Sequence, residues 1–218
     1  MKMIKSIEAV LFDQDGVILD SIESTIMFYK ELLSHYKKPI PDDNFLRNLR
    51  FSMTENMRRL FPELAHLSDE ELVKIDKAYE ETEDYKRNRE KRIKLVKPYE
   101  DVLPCLDSLY KRFKIGLVTD GKSKLKEYNL ARYFDVAIDQ TLVKIGKPNP
   151  ESLLKALDIL KIKPKNAVYV GDASTDMLAA KNAGTHFIAL IRDKLASERL
   201  LDSRYNVNSL EQIPQLID

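Results

Sequence analysis

The chain has no tryptophan, one cysteine, six glycines and nine prolines in 218 residues, and almost no net charge, with 36 Lys and Arg against 35 Asp and Glu. A lone cysteine excludes an intramolecular disulfide, which suits a reducing compartment and leads to the expectation of a cytoplasmic protein. Cys105 sits in VLPCLDSLY among apolar neighbours with no flanking histidine, so a buried, inert thiol is expected there and not a nucleophile. The formal charge of +1 argues against a protein that coats nucleic acid or an anionic membrane. No apolar run approaches the roughly 18 residues that a bilayer span needs. The opening MKMIKSIEAVLF leads into an acidic loop and not a cleavage site. Internal repeats and low-complexity tracts are missing too. The expected partner is a small molecule, with no nucleic acid and no membrane, and the chain is expected to act as a monomer or homodimer.

What is present is a core-forming chain, 44% hydrophobic, long enough to bury roughly 70% of its unfolded surface. Short apolar runs at Ile7 to Phe12, Lys114 to Val118, Val136 to Ile138, Ala167 to Val170 and His186 to Ile191 read as strands. Helical spacing lies between them, at about 99–112, 121–132, 150–161, 174–183 and 209–217. This alternation is what a parallel sheet covered on both faces requires, so the fold class is α/β. Residues 20–95 break the rhythm with helical spacing and no strand-like run, as in the stripe Leu72, Ile75, Tyr79, Thr82. They read as an inserted helical unit within a core made of 1–19 and 96–218. Within it, 86–97 carries seven basic residues and one acid, but it follows EETED at 80–84. Acid first and base last on one helix suits the helix dipole, so a solvated helix face is expected there and not a nucleic-acid patch.

Three of the apolar runs deliver the same kind of residue. The first ends in FDQDGV with Asp13 and Asp15, the second in Thr119, Asp120 and Gly121, and the run AVYV in GDASTD with Asp172 and Asp176. In an open parallel sheet these strand ends face one crevice. The four carboxylates Asp13, Asp15, Asp172 and Asp176 would repel one another there unless a cation sat among them, and hard oxygen ligands suit Mg²⁺. Asp13 and Asp15, two apart on extended chain, can address one substrate, one attacking phosphorus while the other manages protons. Gly16 lets the chain turn away. Thr119 offers a hydroxyl beside exposed amides, and Lys147, between Gly146 and Pro148, is a fixed ammonium able to offset phosphoryl charge.

The order Asp13-x-Asp15-Gly, Thr119, Lys147-Pro, Gly-Asp172-x-x-x-Asp176 resembles the haloacid dehalogenase-like superfamily, in its phosphatase branch with a small helical cap, similar to phosphoglycolate phosphatases. The motifs cover roughly 6–19 and 98–218, while the cap matches only in position and helical character. The resemblance implies a Rossmann-like parallel sheet with the cap inserted at 20–95, and Mg²⁺-dependent hydrolysis of a small phosphorylated metabolite through an aspartyl-phosphate. It implies Asp13 as nucleophile and metal ligand, and Asp15 as acid and base, lending the metal its backbone carbonyl. Thr119, with the amides of Asp120 and Gly121, would bind the phosphoryl group. Lys147 would offset charge and steady Asp13, Asp172 would ligate the metal, and Asp176 would do so directly or through water. Asp120 departs from the family's usual Asn or Ser; an additional acid near a phosphate is unfavourable unless it points away, which weakens a side-chain role for Asp120 and leaves its backbone amide to serve.

The presence of Asp15 speaks against carbon–halogen displacement, and the hinge ILDSIESTIMFYK lacks the histidine that hexose-phosphate mutases usually carry. A phosphomutase of the β-phosphoglucomutase type and a noncatalytic phosphometabolite-binding protein remain as alternatives. Arg47 and Arg50, with Phe51, are the cap residues expected to reach substrate, where an arginine can pair with a second anionic group. Phosphoglycolate, pyrophosphate, nucleotides and sugar phosphates all fit motifs that see only the phosphoryl group.

Overall fold

The computed structural model describes residues 3–49, 51–192, 200 and 203–218. Strand β1 (Ala9–Phe12) is buried at every residue, as a strand covered on both faces must be. Short strands β2 (Leu19–Asp20) and β3 (Lys97–Pro98) stand where the chain leaves and re-enters the sheet-bearing unit. The remaining apolar runs form β4 (Lys114–Val118), β5 (Val136–Ile138), β6 (Ala167–Gly171) and β7 (His186–Leu190). A two-residue edge strand, β8 (Asn206–Val207), which no apolar run announces, completes a parallel sheet of order β5-β4-β1-β6-β7-β8. Phe12 lies in register with Leu117 on one side and Val170 on the other. The chain thus builds outward from β1 in one direction and then, from β6, in the other. That reversal opens the crevice beyond the carboxyl ends of β4, β1 and β6.

The chain divides into two compact units, Met1–Asp20 with Pro98–Asp218, and Ser21–Lys97. The second is helical: α1 (Ile22–His35), α2 (Asp43–Arg47), α3 (Met53–Leu60), α4 (Asp69–Glu80) and α5 (Glu83–Lys94). Its core gathers Ile26, Leu32, Leu46, Met57, Leu72 and Tyr79. Side-chain caps start α3, α4 and α5. The Ser52 hydroxyl accepts from the Glu55 amide, Ser68 and Glu71 cap each other reciprocally, and Thr82 accepts from the Tyr85 amide at 3.2 Å. Such caps are worth about 1 kcal/mol each. The Thr82 cap starts α5 inside the acidic stretch, so Glu83 and Asp84 fill its first turn and Lys91, Arg92 and Lys94 its last, the acid-first order expected, while Glu80 ends α4. On α5 most basic residues are exposed, but Arg92 is buried, paired with Glu31 and set against the Phe28 and Tyr85 rings.

On α4, burial, reinforced by Glu80 and opposed by Lys77, lifts the Asp76 carboxyl from 3.8 to about 6. A folded value above the unfolded one means that ionising Asp76 costs stability progressively from pH 3.8 upward, and fully above pH 6. Asp76→Asn is therefore expected to stabilise the protein by about 1–2 kcal/mol at pH 7, after allowance for partial exposure, with no gain below about pH 4. Urea unfolding at the two pH values checks this; equal stability at pH 7 would contradict it.

In the sheet unit, α7 (Glu151–Leu160) packs on β4 and β5, α8 (Ser174–Ala183) packs on β6 and β7, and the two helices touch each other. Their shared core includes Leu11, Leu153, Leu157, Tyr169, Ala179 and Ala180. Early in the second segment of the sheet unit, α6 (Val102–Leu109) carries Cys105, whose thiol burial pushes up to about 12, consistent with an inert core residue. Two helical expectations fail. Residues 209–217 form a 3₁₀ segment, Leu210–Gln215, where Pro214 has no amide for an α ladder. Residues 121–132 form turns and no α-helix, with only the start of a 3₁₀ turn at Ala131–Tyr133, because tertiary partners draw off backbone groups of this stretch. The Ser123 amide goes to Asp139, the Lys124 amide to the Gln14 side chain, and the Gly121 carbonyl to the Gln140 amide. No helix among the described residues is long and apolar enough to cross a membrane.

Candidate active site

Asp13 follows β1 directly, and its amide extends the ladder by donating to the Val170 carbonyl at 2.9 Å. The chain then folds back tightly, with the Ile18 and Leu19 amides both donating to the Gln14 carbonyl at 2.9 and 2.8 Å. Gly16 makes this possible. Its φ is +85°, and a Cβ there would lie 2.3 Å from Asp172 Oδ2. Only glycine satisfies both the left-handed backbone and the close approach of the neighbouring carboxylate. Asp13, Asp172 and Asp176 are all buried, each with a carboxylate oxygen within 4.8 Å of the others.

Lys147, a residue 6% exposed, reaches two members of this group with its ammonium. It donates to Asp13 Oδ1 at 2.7 Å, Asp176 Oδ1 at 2.7 Å and the Tyr169 hydroxyl at 3.1 Å, so all three of its protons are placed. The Tyr169 hydroxyl in turn donates to Asp176 Oδ1 at 3.0 Å. The other Asp176 oxygen accepts from the Asp172 and Ala173 amides at 3.2 and 3.0 Å, closing the first turn of α8. With both oxygens serving protein donors, Asp176 positions Lys147 and the Asp172 loop as well as adding charge to the cluster.

Thr119 directly follows β4, and its hydroxyl oxygen accepts from the Gly121 amide at 3.1 Å. A Cβ on Gly121 would sit 3.7 Å from Thr119 Oγ1 and 3.8 Å from Asp15 Oδ2, so the half-buried Asp15 carboxylate faces the Thr119 turn. It stands outside the carboxylate triad. The Asp120 carboxylate accepts from the Lys147 amide at 3.0 Å and lies against Gly146, where a Cβ would come within 2.9 Å. Its side chain therefore fastens the Lys147 loop. Arg47, the last residue of α2, pairs with Glu23 of α1 inside the helical unit. Phe51 stacks under Arg59 at 3.9 Å. Arg50 lies outside the described residues.

Burial lifts the Asp13 carboxyl well above 3.8; Lys147 pulls it back, and Asp176 and Asp172 push it higher. For Lys147, burial opposes the charge, but Asp13 and Asp176 outweigh it and hold the ammonium protonated. Three clustered carboxylates and one ammonium leave two negative charges, which one divalent cation would balance. Hard oxygen donors at this spacing fit such an ion.

Tyr169 and Gln14 were not singled out by sequence reasoning. Tyr169 is the one residue with a polar tip in the buried strand AVYVG, which was a readable signal. Gln14 carries no signal beyond its place between the two aspartates.

A parallel sheet that gathers acids and a buried lysine beyond the carboxyl ends of three strands is the framework of an α/β enzyme with a site for a charged substrate. The chain belongs to the haloacid dehalogenase-like hydrolase family, whose model matches residues 10–190. Pyrophosphatase PpaX of Halalkalibacterium halodurans is 31% identical over 222 residues, covering 97% of this chain and 96% of that protein. A phosphorylated carbohydrates phosphatase of Thermotoga maritima is 30% identical over 185 residues, covering 81% and 82%. A solved subfamily IA, variant 1 hydrolase of the superfamily from Geobacter sulfurreducens matches with a TM-score of 0.67 at 27% identity, covering 97% of this chain and 96% of that one.

Proposed function

We propose that this hydrolase is a phosphatase that cleaves a small phosphorylated metabolite through an aspartyl-phosphate on Asp13. Asp13, Asp172 and the backbone carbonyl of Asp15 would hold Mg²⁺, with Asp176 direct or through water. The observation that carries the reading is the buried Asp13 carboxylate, held by Lys147 beside two further carboxylates at the mouth of the switch-point crevice. Mg²⁺, when bound, neutralises charge on the phosphoryl oxygens.

The Asp13 carboxylate attacks phosphorus, and the bond to the leaving oxygen breaks with its electron pair on that oxygen. Asp15 supplies the proton this oxygen needs. Asp15 then takes a proton from the water that attacks phosphorus, the Asp13–phosphorus bond breaks, and phosphate leaves. The Thr119 hydroxyl, whose oxygen is oriented by the Gly121 amide, keeps its own proton for a phosphoryl oxygen. Lys147 counters the charge that spreads over the transferring group.

The relatives' names make pyrophosphate and phosphorylated carbohydrates the first compounds to test, with phosphoglycolate beside them. A phosphate-release screen with Mg²⁺ and with EDTA decides the matter. Release from at least one compound is expected, falling by roughly 100-fold or more in EDTA. Silence across the panel at saturating Mg²⁺ would reject the reading, and an isomerised product without free phosphate would favour a phosphomutase.

A further inference from the structure

Gln14 stands between the two aspartates and is 1% exposed. Its carboxamide Nε2 donates to the Lys122 carbonyl at 3.1 Å and to Asp15 Oδ2 at 3.3 Å. Its Oε1 accepts from the Lys124 amide at 2.8 Å. The partners fix the orientation of the group, since only its oxygen can accept from an amide and only its nitrogen can donate to a carbonyl. Its backbone carbonyl meanwhile anchors the turn through Ile18 and Leu19. One residue thus joins the Asp13–Gly16 loop to the loop that follows Thr119, across 108 and 110 residues of chain.

We infer that Gln14 is a positioning residue that sets Asp15 at a fixed distance from the turn holding the phosphoryl group. The inference rests on the hydrolytic reading above, in which Asp15 protonates the leaving oxygen while Thr119 holds the transferring group. Gln14→Met keeps the length of the side chain and removes all three of its hydrogen bonds. A misplaced proton donor matters most when the leaving oxygen is strongly basic. A purely structural defect would depress every substrate alike.

The experiment compares kcat/KM for benzyl phosphate, whose leaving alkoxide needs the proton, with that for p-nitrophenyl phosphate, whose phenolate does not, both at saturating Mg²⁺. kcat/KM reports the steps through transfer to Asp13, so the leaving group is in view. Gln14→Met is expected to lose on the order of 100-fold with benzyl phosphate, and less than about 10-fold with p-nitrophenyl phosphate. Equal losses, or none, would overturn the inference. Hydrogen exchange reads the tether independently. The Lys124 amide should exchange at least about tenfold faster in the variant, with the amides of β1 and β6 unchanged. Wild-type protein inactive on both esters would count against the phosphatase reading. The tether would then be decided by the Lys124 amide, and unchanged exchange there would overturn it.

Discussion

Asp13→Asn is expected to end catalysis while leaving the protein folded. Asparagine matches the shape of the carboxylate and keeps an oxygen to accept from Lys147 in place of Asp13 Oδ1. It cannot attack phosphorus. Loss of a nucleophile of this kind costs on the order of 10⁴-fold or more in turnover. The metal-free stability should move the other way. Burial, with Asp176 and Asp172 adding to it against Lys147, holds the Asp13 carboxyl above its ordinary 3.8. Ionising it in the folded protein therefore costs stability as the pH rises past that value, and asparagine removes this cost. The measurement pairs phosphate release with thermal unfolding in EDTA at pH 7. A variant that keeps wild-type turnover would refute the assignment of Asp13. A variant that is inactive because it has unfolded would refute the account of its electrostatics.

Lys147→Met is expected to cost both activity and stability. Without the ammonium, the carboxylates of Asp13 and Asp176 lose the cation that each meets at 2.7 Å, and Asp176 Oδ1 keeps only Tyr169 as donor. Removing one member of a buried ion pair typically costs about 3–5 kcal/mol, because the remaining charge is left uncompensated. The sign with pH follows from the lysine. Its folded value lies above the ordinary 10.5, so its contribution is fully present at neutral pH and is lost only as the pH rises past that range. The deficit should therefore be large at pH 7 and should shrink in acid, where the carboxyls take up protons. Turnover should fall on the order of 10³-fold through lost stabilisation of phosphoryl charge. Adding Asp13→Asn to Lys147→Met should restore part of the stability, since the two residues share one network. If Lys147→Met unfolds at the wild-type urea midpoint at pH 7, the lysine is not the keystone the geometry makes it.

Some of this was legible without coordinates. The strands declared themselves because a parallel strand buried on both faces must be a continuous apolar run, as AVLF and AVYVG are. Asp13, Thr119, Asp172 and Asp176 could be placed because each follows such a run within a few residues. Helical spacing misled at 121–132, where periodicity is present but the backbone groups are drawn off to Gln14, Asp139 and Gln140. Charge order read α5 correctly, with Glu83 and Asp84 in its first turn and Lys91, Arg92 and Lys94 in its last, but left Glu80 on the same helix, whereas the chain breaks at Thr82, whose hydroxyl caps α5.

The sequence by itself determined the residue types at the strand ends and the acidic, hard-ligand character of the site, because strand burial and turn chemistry are local properties of the chain. The tertiary structure decided which of these groups touch. It set Lys147 on Asp13 across 134 residues of chain and Gln14 on Lys124 across 110. It also turned the Asp120 carboxylate toward the Lys147 loop and set Asp15 apart from the carboxylate triad. Those contacts follow from the order of strands in the sheet, which depends on how the whole chain packs and is written in no single segment.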